Sequence, residues 1–136
     1  MGVPNTTTFT LQNVVDTVNP STDDLTDCFS DAVASLFDSS YEGSKNQLLN
    51  FRNYGNLTSF SGSIASKNPC SLSTNITYYH NGSGTYPVAG DFVFTNASGS
   101  SILSPGGNYK MGSGTKMEIQ GGTGSNAGSV VAITLC

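Results

Sequence analysis

The chain has 136 residues, nine acidic and five basic side chains, a formal net charge of −4 and only 10% charged residues, against about 25% in an ordinary globular protein. Twenty Ser, 16 Gly, 15 Thr and 13 Asn make up nearly half of it, a composition of tight turns and hydroxyl-bearing strands that excludes a protein of long helices. No cluster of Lys or Arg stands ready to displace counterions from a phosphate backbone, so nucleic acid is a poor partner; no apolar run approaches the roughly 18 residues that span a bilayer, so membrane insertion is not expected.

In chain order, the opening MGVPNTTTFT carries neither a basic region nor an apolar core, so Sec-type export is not expected. Thr10 can cap a short helix over 11–18, where Leu11, Val14, Val15 and Val18 recur at helical spacing before Asn19-Pro20 ends it. Ser21 and Asp24 form an S-x-x-D start signal, and Leu25, Cys28, Phe29, Ala32, Val33, Leu36 and Phe37 follow at i, i+3, i+4 intervals. That stripe predicts an amphipathic helix over about 22–37, with Asp23, Asp24 and Asp27 at the positive end of its dipole. A further helical turn is expected over 44–50.

Near Gly55 the chain changes character. Residues 1–55 carry a net charge of −5 and residues 56–136 a net charge of +1. Beyond Gly55 the apolar residues alternate in short runs, at 57–64, 75–80, 85–88, 91–95, 101–103, 108–111, 115–120 and 129–135, separated by turn signals such as Asn81-Gly82-Ser83-Gly84 and Pro105-Gly106-Gly107. The expected fold class is therefore α+β, with a short helical module over 1–55 followed by a small antiparallel β-sandwich or partial barrel over 56–136. The 121–128 stretch GGTGSNAG has no Lys and precedes an apolar strand, so it reads as a hairpin or crossover loop and not as a phosphate loop.

A module of this size has a thin core, and a cross-link or self-association is expected to support it. Cys28 lies on the apolar face of its helix, where a thiol packs as a small hydrophobe. This leaves Cys70 and Cys136 as the pair expected to form a disulfide; the alternative is three reduced thiols. Leu49, Phe51, Arg52 and Tyr54 gather aromatics around the only Arg and are candidates for an assembly interface. Alternatively, Phe51 and Tyr54 close a small helical core and Arg52 bonds helix carbonyls or an acid. Tyr78, Tyr79, His80 and Tyr86, set among Asn, Ser and Thr, suit stacking on sugars and are candidates for a receptor surface; the alternative packs alternate tyrosines inward.

Catalytic sets are thin. A lone histidine, His80, with no C-x-x-C or H-x-x-H spacing, gives no metal site, and no G-x-S-x-G elbow marks a nucleophile. Paired carboxylates for glycoside cleavage would have to be Asp91 and Glu118. No cofactor is implied.

The segments Phe9-Thr10-Leu11-Gln12-Asn13-Val14, Asn19-Pro20, Cys28-Phe29, Tyr41-x-Gly43-Ser44-Lys45 and Leu49-Asn50-Phe51-Arg52-Asn53-Tyr54 resemble a leader module of virion proteins from bacteriophages that infect flavobacteria and related Bacteroidetes. The resemblance covers most of residues 7–55. Cys70, Tyr78-Tyr79-His80-Asn81-Gly82, Pro87-Val88-x-Gly90-Asp91-x-Val93, Gly107-x-Tyr109 and Cys136 resemble a small domain appended to such proteins. The resemblance implies a non-enzymatic virion component, assembled in the host cytoplasm and exposed outside after release. Its partners would be other virion proteins, copies of itself with a trimer favoured, and a host surface glycan. Such proteins are often long fibres, whereas no shaft separates the two parts here, which favours a short spike, fibre or capsid-decoration protein. Two other classes compete with it: a secreted bacterial adhesin or surface-binding module, and a small glycan-cleaving enzyme using Asp91 and Glu118.

Overall fold

A computed structural model describes residues 2–136. The fold is α+β: two short helices and two small antiparallel three-stranded sheets. The chain divides into two compact units, Met1–Asn56 and Leu57–Cys136.

In the first unit, α1 spans Leu11–Val18, as its apolar spacing predicts. Thr10 caps it: the Thr10 hydroxyl accepts from the Asn13 N–H at 3.4 Å, and Asn13 Oδ1 accepts from the Thr10 N–H at 2.8 Å. This reciprocal bonding satisfies two otherwise orphaned donors. Asn19 closes the helix in the left-handed conformation, φ 55°, donating its N–H to the Val15 carbonyl at 2.8 Å.

The second helix is shorter than its periodicity predicts. α2 spans Leu25–Asp31, not 22–37, and its cap is Asp24, whose carboxylate accepts from the Asp27 N–H at 2.9 Å. Ala32 is extended and a 3₁₀ turn follows at Ala34–Leu36. The break is held by side chains: the Val33 N–H, which a continuous helix would use internally, donates to the Tyr54 hydroxyl at 2.8 Å, and Asp31 accepts from the Ser21 N–H at 2.8 Å. Leu36 and Phe37 still reach the core from the broken path. The turn expected over 44–50 is a 3₁₀ helix at Leu48–Phe51.

Val3, Phe9, Val14, Cys28, Phe37, Phe51 and Tyr54 form the buried core of this unit. Its centre is aromatic. Phe51 stacks on Phe29 at 4.4 Å between ring centroids and lies 5.1 Å from Phe37 and 5.5 Å from Tyr54. A polar network ties the front of the chain to this cluster. The Val3 N–H donates to the Tyr54 carbonyl at 2.8 Å, and the Asn56 amide donates to the Val3 carbonyl at 2.6 Å and to Asn53 Oδ1 at 3.1 Å. Asn53 in turn donates to the fully buried Asp38 carboxylate at 2.9 Å.

In the second unit, β1 (Thr58–Gly62), β2 (Ile76–His80) and β3 (Val93–Phe94) form one sheet in the order β1-β2-β3. A second sheet contains β4 (Gly107–Lys110), β5 (Thr115–Ile119) and β6 (Val130–Leu135), in that order. The two sheets share one core, built from Phe60, Tyr78, Val93, Leu103, Tyr109, Met111, Met117, Ile119 and Val130. Bridges between Gly62 and Met111 and between Phe92 and Ser129 join them without closing a barrel. The 121–128 stretch is the hairpin loop between β5 and β6.

Three expected strands shrink or vanish. The run at 91–95 keeps only Val93–Phe94, and 101–103 contributes a single bridge, Ile102 to Phe94. The run at 85–88 is no strand, because Pro87 has no N–H to give and the Val88 N–H turns to the Asp91 carboxylate at 3.0 Å. Cys70, in a 3₁₀ turn at Pro69–Ser71, is bonded to Cys136 beyond β6, with Cα atoms 5.4 Å apart.

Candidate functional site

Alternation along β2 separates the residues that the sequence groups as a receptor surface. Tyr78 and His80 point to one face of the sheet and Tyr79 to the other. Tyr78 is 5% exposed; it donates its hydroxyl to the Ser63 carbonyl at 2.9 Å and meets Tyr109 edge to face at 6.0 Å. His80 is fully buried, with the Phe60 ring edge-on at 5.6 Å. Neither can touch a receptor, and the two half-buried tyrosines lie on opposite faces of the sheet, Tyr86 against Phe60 on the inner face and Tyr79 on the outer one, so the expected four residues form no single surface. Tyr79 lies opposite Ser59 of β1 and Phe94 of β3, and Tyr86 packs edge-on against Phe60 at 6.1 Å. The alternative reading, in which alternate tyrosines pack inward, describes Tyr78 and Tyr109.

Burial holds the Tyr78 phenol above its ordinary pKa. Tyr109 is raised by burial first and then by the neighbouring Tyr78. In the first unit burial also raises Tyr54, against the smaller, lowering effect of its bond with the Val33 backbone.

The most polar buried cluster of the β-unit is His80, Asn81 and Asp91, each at most 1% exposed. The end of β2 brings His80 and Asn81 there; the tight 88–91 turn, in which the Asp91 N–H donates to the Val88 carbonyl, brings Asp91. Asn81 Oδ1 accepts from the Phe92 N–H at 2.8 Å, stitching the two segments together. His80 Nδ1 faces two groups that demand opposite protonation. The Gly82 N–H donates to it at 3.2 Å, and Asp91 Oδ2 stands 3.4 Å away. The Gly82 contact is the shorter of the two. Nε2 has no hydrogen-bond partner among the described residues. Gly82 is required by close approach, since a Cβ there would collide with the Asp91 carboxylate. The cluster is sealed from solvent, and chemically it clasps the 80–82 turn to the 88–92 segment.

This burial also corrects the carboxylate pair. Asp91 is enclosed beside His80, whereas Glu118 is exposed, opposite Asn108 of β4 and Ala132 of β6. A sealed carboxyl and a solvent-facing one cannot flank a polysaccharide bond, so Asp91 and Glu118 do not form the hydrolytic pair. Among the described residues no group of three or more His, Cys, Asp or Glu side chains could hold a metal ion, and no helix is long and apolar enough to cross a membrane.

The expected assembly interface is likewise divided. Phe51 is fully buried and Tyr54 3% exposed at the centre of the aromatic core, so these two are corrected from interface to core. The ring of Phe51 fills the space that three other aromatics leave, and the hydroxyl of Tyr54 is used by Val33. Arg52 is half-buried: its guanidinium lies over the Tyr41 ring at 4.2 Å and its Nε donates to Asn5 Oδ1 at 2.8 Å. Leu49 is 46% exposed. Cys28 is a buried free thiol, its pKa raised by burial and then by Asp24, Asp23, Asp27 and Asp31.

Two features carry no signal in the sequence. The Asp38–Asn53–Asn56 network joins residues whose pairing depends on tertiary approach, and only the dipeptide Asn53-Tyr54 before Gly55, with its turn character, hints at the left-handed Asn53, φ 63°. The buried Ser63, whose hydroxyl accepts from the Lys110 N–H at 2.9 Å, is one serine among twenty. Comparison of the chain with protein families, with curated proteins and with solved structures finds no match in any of the three.

Proposed function

We propose that the chain is a non-enzymatic structural protein of a virus particle, a short spike or capsid-decoration component of the bacteriophage type that its leader segments resemble. In this reading the helical unit attaches to other virion proteins, and the β-unit faces the medium, with Tyr79, on the outer face of β2, offering ring surface to a host glycan. The observation that carries the reading is the Cys70–Cys136 bond, which closes a β-unit of thin core across 66 positions of sequence. Such a bond persists in oxidising surroundings. A protein assembled in the cytoplasm and released by lysis reaches them.

Quantitative mass spectrometry of purified particles tests this. The expected result is the chain at a fixed copy number relative to the major shell protein. Its repeated absence from infectious particles would remove the reading.

A further inference from the structure

Each sheet edge of the β-unit is paired with another stretch of chain, except one. Beyond β1, the Gly112 N–H donates to the Ser61 carbonyl at 2.9 Å. Beyond β4, the Ser66 N–H donates to the Asn108 carbonyl at 3.0 Å. Beyond β3, the Leu103 N–H donates to the Val93 carbonyl at 2.8 Å and the Thr95 N–H to the Ser101 carbonyl at 2.9 Å. The first residue of β6 is covered in the same way: the Val130 N–H donates to the Asp91 carbonyl at 2.8 Å, and the Gly90 N–H to the Val130 carbonyl at 2.9 Å. From Val131 to Leu135, β6 pairs with β5 on one side and, among the described residues, with nothing on the other.

The orientation of the open groups follows from the ladder. The Cys136 N–H donates inward to the Gly114 carbonyl at 3.3 Å. Alternation then sends the N–H and C=O of Thr134 toward β5 and those of Ile133 and Leu135 outward. The strand VVAITL contains no charge and no proline, two of the devices that blunt an exposed edge, and its register shift, opposite Glu118/Ile119, falls before Ala132 and leaves 132–135 regular. Leu135 is 85% exposed and Val131 49%.

We infer that this edge is a strand-addition site for a second copy of the same strand, paired antiparallel about Thr134. In that register Ile133 of each copy faces Leu135 of the other, and each such pair exchanges both main-chain hydrogen bonds. Apolar side chains meet apolar ones on one face and Thr134 meets Thr134 on the other, both favourable cross-strand pairs. Charge permits the like partner and the side chains of the strand are complementary to their own copies: the strand is neutral and residues 56–136 carry only +1, whereas the −5 of residues 1–55 would oppose an approach of two copies through that half. The contact is two-fold, a different symmetry from the trimer that the virion resemblance favours, and it does not depend on that resemblance. A five-residue edge buries less than a standard interface of about 1,600 Å², so the pairing is reversible and concentration-dependent.

Sedimentation velocity of the full chain from about 10 µM to about 1 mM, the range in which a small interface associates, should show the mass moving from one protomer toward two. Thr134→Glu places two carboxylates across the axis while sitting opposite its own Lys116, and should keep the chain monomeric throughout. An equimolar mixture of Thr134→Glu and Thr134→Lys should pair again. Leu135→Lys, at the most exposed position of the strand, gives a second block that leaves the core untouched. In the unsubstituted chain the amides of Ile133 and Leu135 should become protected from hydrogen exchange as concentration rises. A chain that stays monomeric across the range, or a self-association that Thr134→Glu and Leu135→Lys leave unchanged, would overturn the inference.

Discussion

The two units solve the problem of a small core by different means. The helical unit concentrates aromatic rings: Phe29, Phe37, Phe51 and Tyr54 form one connected cluster, and an Asp38–Asn53–Asn56 network fixes the chain around them. The β-unit spreads its apolar residues over two three-stranded sheets and joins its 3₁₀ turn at Pro69–Ser71 covalently to the residue after its last strand, through Cys70 and Cys136. Packing dominates in the first and chain topology in the second, so perturbations that cripple one unit should leave the other standing.

The largest expected effect is at Phe51. Phe51→Ala removes the ring that three others touch, at a cost of about 3–5 kcal/mol, and should unfold the helical unit while the amides of β1 to β6 remain protected in hydrogen-exchange measurements on the full chain. Leu49→Ala, two residues away but 46% exposed, should change stability by no more than about 0.5 kcal/mol. Loss of the β-unit together with the helical unit in Phe51→Ala would show that the two are not separately held.

The converse perturbation is the paired substitution Cys70→Ser and Cys136→Ser. On the chain-entropy model a loop of this length contributes about 4 kcal/mol, all of it to the β-unit. Denaturant-dependent hydrogen exchange of the β1 to β6 amides should shift to lower midpoint, while the α1 amides keep their protection. Reductant applied to the unsubstituted chain should reproduce the shift.

A smaller effect is expected from alkali. Tyr54, Tyr78 and Tyr109 have phenol pKa values raised by burial. Above the unfolded-state value of about 10 the unfolded chain loses phenolic protons that the folded chain retains, so stability is present in full below that pH and falls as pH rises beyond it. The β-unit holds two of these phenols, coupled to each other, and the helical unit one. The Cys28 thiol, raised by burial and then by its acidic neighbours, adds a second such group to the helical unit, so both units should lose stability between neutral pH and strong alkali, and Tyr78→Phe should reduce the loss in the β-unit alone.

The same contrast explains what was legible in the sequence. α1 is readable to the residue because its cap, apolar spacing and Asn-Pro stop all act locally. α2 is over-read because Ala32, Leu36 and Phe37 reach the core from a helix broken into an extended residue and a 3₁₀ turn as well as from a continuous one, and only Val33, 51% exposed, departs from the apolar spacing. The partner that breaks it, the Tyr54 hydroxyl, lies 21 positions away. The disulfide was readable by composition, since only one cysteine sits on a helical apolar face. The candidate site was readable in residue type but not in direction. A run such as Tyr78-Tyr79-His80 must alternate faces, and only the pairing of β2 with β1 and β3 decides that Tyr78 and His80 go inward. Glu118 and Asp91 look alike in sequence and differ only because the turn at 88–91 folds Asp91 under His80.

The proposed role rests on orientation, with the helical unit against the particle and the β-unit in the medium, and amine labelling of intact particles tests it most directly. Lys45 of the helical unit is substantially exposed in the chain itself, with 39% of its side-chain surface accessible; Lys67 of the β-unit is exposed and Lys116 half-exposed. Labelling followed by peptide mapping should mark Lys67 and Lys116 in intact particles and Lys45 only after the particles are dissociated. Equal labelling of Lys45 before and after dissociation, or protection of Lys67 and Lys116 in the intact particle, would contradict the account.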